Sequence, residues 1–395
     1  MKAGWETRAI ASFAQTGAGG TPTKSNKAFY EDGSIPWLVS GEVANANIMS
    51  TKNFITSEGL KGSSAKLFPA NSVLVAMYGA TAGEVGLLRF QAATNQAVCA
   101  VLPSDQHIPE YLYYCLLHLK PSLVAQAVGN AQPNISQAKI KSLEIPLPPL
   151  EEQQRIVAVL DEAFEGLARA REHAEVNLRN ARELYRASLT ALTFRSVGAE
   201  EVALAEATAS GSSITYGVVK PGPEGEIPFV RGGDLRDGRI DIDALRTITK
   251  EVSETYQRTK LRGGELLLCL VGQPGQTGVV PDGLIGANIA RQTALIRLSN
   301  EFDTEFVSFF LLSDEGQSRL GAYTQGAIQQ VINLKELKTV LIPLLPIEIQ
   351  KEIAAKCNNL RWLTSDAERS YEKKLNDIDD LRQSLLQKAF AGELT

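Results

Sequence analysis

Three histidines, four cysteines and a scatter of carboxylates are the residues through which this chain could do chemistry. A hydrolytic metal site needs carboxylates or imidazoles converging on one ion, and a phosphate-transfer site needs a Gly-rich loop ending in Lys-Ser or Lys-Thr. Pro281-Asp282 with Glu336-Leu337-Lys338 is the nearest approach to a metal-nuclease pattern. The separation is long, and Glu336-Leu337-Lys338 falls where an earlier copy of the same segment carries Lys139-Ile140-Lys141, so an ordinary surface is the better reading. His107, His118 and His173 are scattered, and no Gly-x-x-x-x-Gly-Lys-Ser/Thr loop is present. Cys99, Cys115, Cys269 and Cys357 lie far apart, which suggests reduced thiols in a cytoplasmic protein, packed as small hydrophobes. No catalytic residue and no metal ligand set is expected on this chain.

The elements around these residues are written twice. Ile145-Pro146-Leu147-Pro148-Pro149-Leu150-Glu151-Glu152-Gln153-Gln154-Arg155-Ile156 returns as Ile342-Pro343-Leu344-Leu345-Pro346-Ile347-Glu348-Ile349-Gln350-Lys351-Glu352-Ile353, with Pro146 and Pro343 197 positions apart. Each copy closes a turn-rich segment and opens a long polar helix. In the first segment Ile35-Pro36-Trp37-Leu38-Val39, Ser72–Met77 and Ala97–Leu102 read as strands, and Pro109–Leu117 as a helix. In the second, Ile227-Pro228-Phe229-Val230 matches Ile35–Leu38. Gly264–Leu268 matches Ala70–Leu74, Gly272 answers Gly79, and Ile332-Asn333 answers Ile135-Ser136.

The first long helix is expected over about Glu151–Phe194, with prolines only before it and a seam of Ile156, Leu160, Leu167, Ala170, Ala174, Leu178, Ala181 and Tyr185. The second carries Ile349, Ile353, Cys357, Leu360, Leu363, Ala367, Tyr371, Leu375, Ile378, Leu381, Leu385 and Ala389, and ends near Gly392. A polar rod of this kind needs a partner helix. The simplest partner is the other rod, giving an antiparallel coiled coil and a pseudo-twofold chain. The fold class is therefore α+β: two repeated mixed α/β domains (1–146 and 198–343) separated by helices at 147–197 and 344–395.

Composition sets outer bounds. An apolar fraction of 44% suits a chain with real cores, no run approaches a membrane span, and no signal peptide is apparent after Met1-Lys2. A formal charge of −5 speaks against indiscriminate coating of nucleic acid but leaves room for local basic patches.

Gly19-Gly20-Thr21-Pro22, the two Ile-Pro-aromatic strands, the two Ile-Pro-Leu stretches leading into Glu-x-Gln-x-x-Ile helices, and Phe390-Ala391-Gly392-Glu393-Leu394 stand in a fixed order. In that order the chain resembles, over essentially its whole length, the specificity (S) subunit of Type I restriction-modification systems. The second unit departs where Ser210–Gly217 stands in place of Gly-Gly-Thr-Pro. The resemblance implies two target-recognition domains, each reading half of a bipartite double-stranded DNA target. The helix pair would set the spacer and dock two methyltransferase subunits. S-adenosylmethionine and ATP would be bound by partner subunits, the latter by a motor/endonuclease subunit when present, and no cofactor by this chain. The Asn/Asp-Pro-Pro-aromatic tetrapeptide that such methyltransferases carry is absent here.

On that reading, base edges would be met by loop Arg, Asn and Gln. The candidates are Tyr78, Thr81, Asn95, Gln132, Asn134 and Ser136 in the first unit. In the second they are Tyr216, Arg231, Arg236, Gln273, Gln276, Asn288, Arg291, Gln325, Gln329 and Gln330. Phosphate contacts would come from Lys24, Lys27, Lys61, Lys66, Arg239, Arg246, Arg258, Lys260 and Arg262. Each of these residue types is also common as a turn former or solvated side chain. Two other classes compete: a self-contained methyltransferase or nuclease, which the missing motifs disfavour, and a coiled-coil spacer with two protein-binding domains.

Overall fold

The computed structural model describes residues 4–44, 46–125, 134–193, 199–321, 324–325 and 331–394. The chain divides into two compact units, Met1–His173 with Lys374–Thr395, and Ala174–Lys373.

In the first unit, five strands form a sheet in the order Thr16–Ala18, Val98–Val101, Val73–Ala76, Val85–Leu88, Asn47–Ile48. The Val73–Ala76 strand is apolar at every position because both of its faces are covered. Val73 and Val75 face a core shared with the helix Pro109–Ala125 and with Ile156, Leu160, Leu386, Ala389 and Phe390 of the long helices. Leu74 and Ala76 face a smaller cluster with Leu38, Ile48 and Phe68. A second sheet centres on Ile35–Leu38, which pairs antiparallel with Phe54–Ile55 and parallel with Ala92–Thr94. The helix expected to stop near Leu117 runs on through Pro121 to Ala125, forgoing the one backbone bond that proline cannot donate.

The second unit repeats this frame. Its four-stranded sheet runs Thr215–Tyr216, Thr293–Ile296, Leu266–Cys269, Thr277–Val279, and Ile227–Val230 again pairs parallel with Asn288–Ile289. One alignment expected from sequence slips by a residue. Leu266 pairs with Ile296 and Val279 as Val73 pairs with Val101 and Leu87, so Leu266 answers Val73 and not Ser72. Since side chains alternate along a strand, the slip exchanges the two faces. Leu266 and Leu268 take the large core, and Leu267 and Cys269 the small one. Gly272 does answer Gly79, and Ile332 answers Ile135: their N–H groups donate to Leu270 and Met77, at 2.9 and 2.8 Å.

The long helices span Leu150–Thr193 and Ile347–Ala391. Within the first unit the start of one lies along the end of the other: Phe164 packs with Leu385 and Leu386, the Arg382 guanidinium covers the Phe164 ring, and Arg171 pairs with Asp379. Within the second, Tyr185 and Leu189 pack with Ile353, Ala354 and Cys357, and Arg182 pairs with Glu368 and Glu372. The helices therefore run antiparallel. Their packing departs from the seam, with its drift near Ala174, that periodicity suggests. Ala170, Ile349, Leu363 and Leu381 are exposed, while Phe164, Leu189, Leu386 and Phe390 take part in the packing. Near its globular segment each helix buries the face that meets that segment, so its stripe departs from a helix–helix seam. Gly392, at φ +78°, ends the second helix in the left-handed conformation that suits glycine.

One residue in each unit fastens helix to domain. Gln153 is fully buried. Its Oε1 accepts the Ile108 N–H at 2.8 Å, and its Nε2 donates to the carbonyls of Gln106 at 3.2 Å and Pro148 at 2.9 Å. Gln350 does the same work: Oε1 accepts from Asp303 N–H, and Nε2 donates to the Glu301 and Leu345 carbonyls, all at 2.8 Å. Only an amide side chain offers one acceptor and two donors in this geometry. A glutamate at either position would place a carboxylate against two carbonyl oxygens. Gln350→Glu is expected to destabilise the second unit by at least about 2 kcal/mol. Urea unfolding followed through Trp362 measures it, and an unchanged midpoint would contradict the assigned role.

Candidate nucleic-acid interface

The geometry of the second unit gathers three arginines from separate segments, Arg246 from the strand Arg246–Ile248 and Arg231 and Arg291 from just beyond two other strands. Phe229 pairs with Arg246 on one side and with Asn288 on the other. Arg231 leaves the strand just after this triplet, and Ala290-Arg291-Gln292 leaves the parallel neighbour, so all three arginines converge at one edge. With Val219, Pro221 and Gly222 they line a groove of about 280 Å³, with Glu224 as the carboxylate among the lining residues. Arg231 is committed: Asp234 accepts from its backbone N–H at 2.7 Å and from its guanidinium at 2.7 and 3.2 Å. That bond pushes the Arg231 pKa further up, so the residue stays charged. Arg246 and Arg291 are exposed, and neither has a side-chain partner among the described residues. Such free guanidinium groups suit phosphate oxygens or the guanine edge.

The first unit builds the same place without arginines. Glu42 caps the backbone N–H of Val39 at 3.0 Å, as Asp234 caps Arg231, and also accepts from Thr51 and Asn53. Asn53 faces Trp37 where Arg246 faces Phe229. Gln96, which sequence reasoning passed over, occupies the position of Arg291. Leu38 pairs with Thr94 and Val230 with Ile289, and each position lies two residues beyond. Gln96 is exposed, the Thr21 hydroxyl donates to its Oε1, and the Tyr78 hydroxyl donates to its carbonyl at 2.6 Å. Aligning the two copies through Thr94 and Ile289 was the signal that could have found it.

The remaining candidates divide by what holds them. Asn288 is fully buried, its Oδ1 accepting from Ser253 at 2.6 Å. It holds the core and presents nothing to solvent. Asn95 closes a turn onto Ala97 N–H, Ser136 caps the helix Gln137–Lys141, and Gln276 accepts from Asp237 N–H at 3.1 Å. Tyr78 is half-buried and bridges to Asn134, and Thr81 sits in the turn beyond Gly79. Tyr216, Arg236 and Gln273 are exposed. Gln132, Gln329 and Gln330 lie outside the described residues, and of Gln325 only the backbone in the strand Thr324–Gln325 is described.

Among the basic residues, Lys24, Lys27, Lys61 and Lys66 are exposed. The helix Ser57–Lys61 packs on Phe29, which brings Lys27 and Lys61 to adjoining turns. Arg239 lines a different cavity, with Glu305, Asn358 and Arg361. Arg258 and Lys260 offer their carbonyls to Arg297, Arg262 its N–H to Glu265, and Arg258 and Arg262 point outward. Glu336 accepts a bond from Asn333, and among the described residues no group of three or more His, Cys, Asp or Glu could hold a metal.

The segment expected to replace Gly-Gly-Thr-Pro finds its register here. Gly20 N–H donates to Thr94 and Val218 N–H to Ile289, so Gly217 answers Gly19. Both glycines are forced by close approach. A Cβ on Gly19 would sit 2.2 Å from Thr94 Oγ1, and one on Gly217 would sit 1.8 Å from the Ile289 carbonyl.

Comparison with known proteins bears on the same frame. The family model described as Type I restriction modification DNA specificity domain matches residues 2–177 and 205–376. The EcoBI specificity subunit of Escherichia coli is 28% identical over 333 residues, covering 77% of this chain and 70% of that one. The EcoKI specificity subunit of Escherichia coli K12 is 24% identical over 436 residues, covering 99% and 89%. A solved chain described under "Structural basis underlying complex assembly and conformational transition of the type I R-M system" superposes with a TM-score of 0.76 over 100% of this chain and 99% of its own, at 20% identity. That likeness shows the fold.

Gly217→Ala is expected to destabilise the second unit by about 3 kcal/mol or more, because the clash is with backbone. Gly233→Ala, with open space around it, serves as the control. Hydrogen exchange of the Thr293–Ile296 strand reports the difference.

Proposed function

The chain belongs to the Type I restriction-modification specificity family, and from that premise we propose that it reads a split duplex-DNA target, one half per recognition domain. It is the DNA specificity subunit of such a system, a non-catalytic member. Residues 1–146 and 198–343 are the two readers, and 147–197 and 344–395 the spacer helices. The helix pair docks two methyltransferase subunits, which supply S-adenosylmethionine chemistry. A motor/endonuclease subunit, where present, supplies ATP hydrolysis and cleavage.

The observation that carries this reading is a duplicated frame with different loops. Strand pairing, buried glutamine and close-approach glycine recur in both units, while the groove edge carries three arginines in one and Val39, Asn53 and Gln96 in the other. A common scaffold with divergent loops is how two sites come to bind different things. Exposed Lys24, Lys27, Lys61, Lys66, Arg246, Arg258 and Arg262 supply cations for phosphates, so affinity should fall steeply with salt despite the net charge of −5. Among the described residues no helix is long and apolar enough to cross a membrane.

Co-expression with the methyltransferase subunit, followed by mapping of N6-methyladenine in the host genome, tests the proposal. One split motif with a fixed gap is expected, and exchange of residues 198–343 for another copy should change one half alone. Absence of new methylation from an active, co-purifying partner would leave a structural spacer as the better account.

The spacer role has its own test. Two half-sites one DNA turn apart lie about 34 Å centre to centre, and helices of 44 and 45 residues reach roughly 66 Å. Inserting four residues at matching points of both helices is expected to lengthen the gap in the methylated motif. Retention of the parental gap would refute it.

A further inference from the structure

We propose that Gln96 and Arg291 are matched base-reading positions, Gln96 addressing adenine in one half-site and Arg291 guanine in the other. The inference rests on the proposed function and goes further by naming a reader in each half.

Three observations lead to it. First, the two residues are structurally equivalent, each two positions beyond the residue that pairs with the Ile-Pro-aromatic strand, Thr94 with Leu38 and Ile289 with Val230. Second, the neighbouring equivalent positions are occupied in at least one unit. Arg231 is clamped by Asp234 and its counterpart Val39 is apolar, while Asn53, the counterpart of Arg246, spends its amide on Glu42 at 3.2 Å. Position 96/291 alone in this set offers an exposed, bidentate planar head in both units. Third, the head differs in charge. DNA phosphates are the same at every half-site, so a phosphate contact gives no reason for the head to change between copies. A neutral amide in one copy and a guanidinium in the other is the pattern of base reading, where Gln pairs with adenine N6 and N7 and Arg with guanine O6 and N7.

The local geometry supports the amide. Thr21 holds Gln96 through one lone pair of Oε1, which leaves the second lone pair and both Nε2 hydrogens outward. Tyr78 fixes the loop from behind through the Gln96 carbonyl. Val219 stands where Thr21 does and cannot hold Arg291, which is set instead by its backbone N–H on the Val218 carbonyl at 2.9 Å and by the groove.

The test uses the full chain assembled with its methyltransferase subunit and a pool of randomised duplexes, with bound and methylated molecules sequenced. Arg291→Gln is expected to lower the preference for guanine at one position of one half-site by roughly five- to a hundredfold, leaving the other half and the gap intact. Gln96→Arg is expected to alter one position in the opposite half. A selected motif identical to the parent's would overturn the inference. So would an even loss across all positions, which is what a phosphate contact produces. The salt dependence of binding by Arg291→Gln separates these outcomes: base reading predicts a lost guanine preference with the slope unchanged, and a phosphate contact predicts a retained preference with the slope lower by about one. A parent complex that selects no motif would instead refute the proposed function, before either variant is made.

Discussion

Two buried glutamines hold this molecule's plan together. Gln153 and Gln350 sit just beyond the prolines that open the long helices. Each ties its helix to the loop that precedes a globular-domain helix and to the chain just before its own first turn. The polar rods have little apolar surface of their own, so their direction is set where they leave the domain. An amide saturated by three backbone partners in the interior sets that direction more sharply than apolar packing, because each misplaced bond exposes a desolvated group. The prolines complete the arrangement by forbidding the helix from starting earlier.

Around this joint the fold separates what is fixed from what varies. Sheets buried on both faces carry continuous apolar strands, and glycines without room for a Cβ let the strand-edge segments close onto Thr94 and Ile289. The loops that emerge beside these closures are free to change chemistry. A carboxylate at the 3-10 turn is kept in both units, as Glu42 and Asp234, because it satisfies the backbone N–H of the preceding residue. What else that carboxylate holds differs: Thr51 and Asn53 in one unit, a guanidinium in the other.

Much of this was legible in the sequence. The Ile-Pro-aromatic strands, the long helices and their proline starts, and Gly392 at the last turn follow from propensity and spacing. The register of the Leu266–Cys269 strand did not, because four apolar residues in succession mark no face, and only their pairing with Thr293–Ile296 decides it. Gly217 was hidden for a related reason: the constraint comes from Ile289, far along the chain. Asn288 read as a loop amide but is claimed by Ser253 of a separate helix, and Ser136 and Asn95 serve their own backbone. Polar side chains announce hydrogen bonding, while the partner is chosen by tertiary structure. Exposed Gln96 was overlooked because its significance lies in equivalence with Arg291, which appears once the pairings are known.

The division of the chain has a consequence for its synthesis. The second unit is one continuous stretch, Ala174–Lys373, inserted into a first unit that is completed only by Lys374–Thr395. Leu386, Ala389 and Phe390 belong to the core laid down by Ile10, Tyr111 and Ile156. The domain that leaves the ribosome first is therefore the last to close. Until Lys374–Thr395 emerges it keeps an unfilled apolar face, while the later domain already has every residue it needs. A chain cut short within that stretch would spare the second unit and leave the first without its last helix.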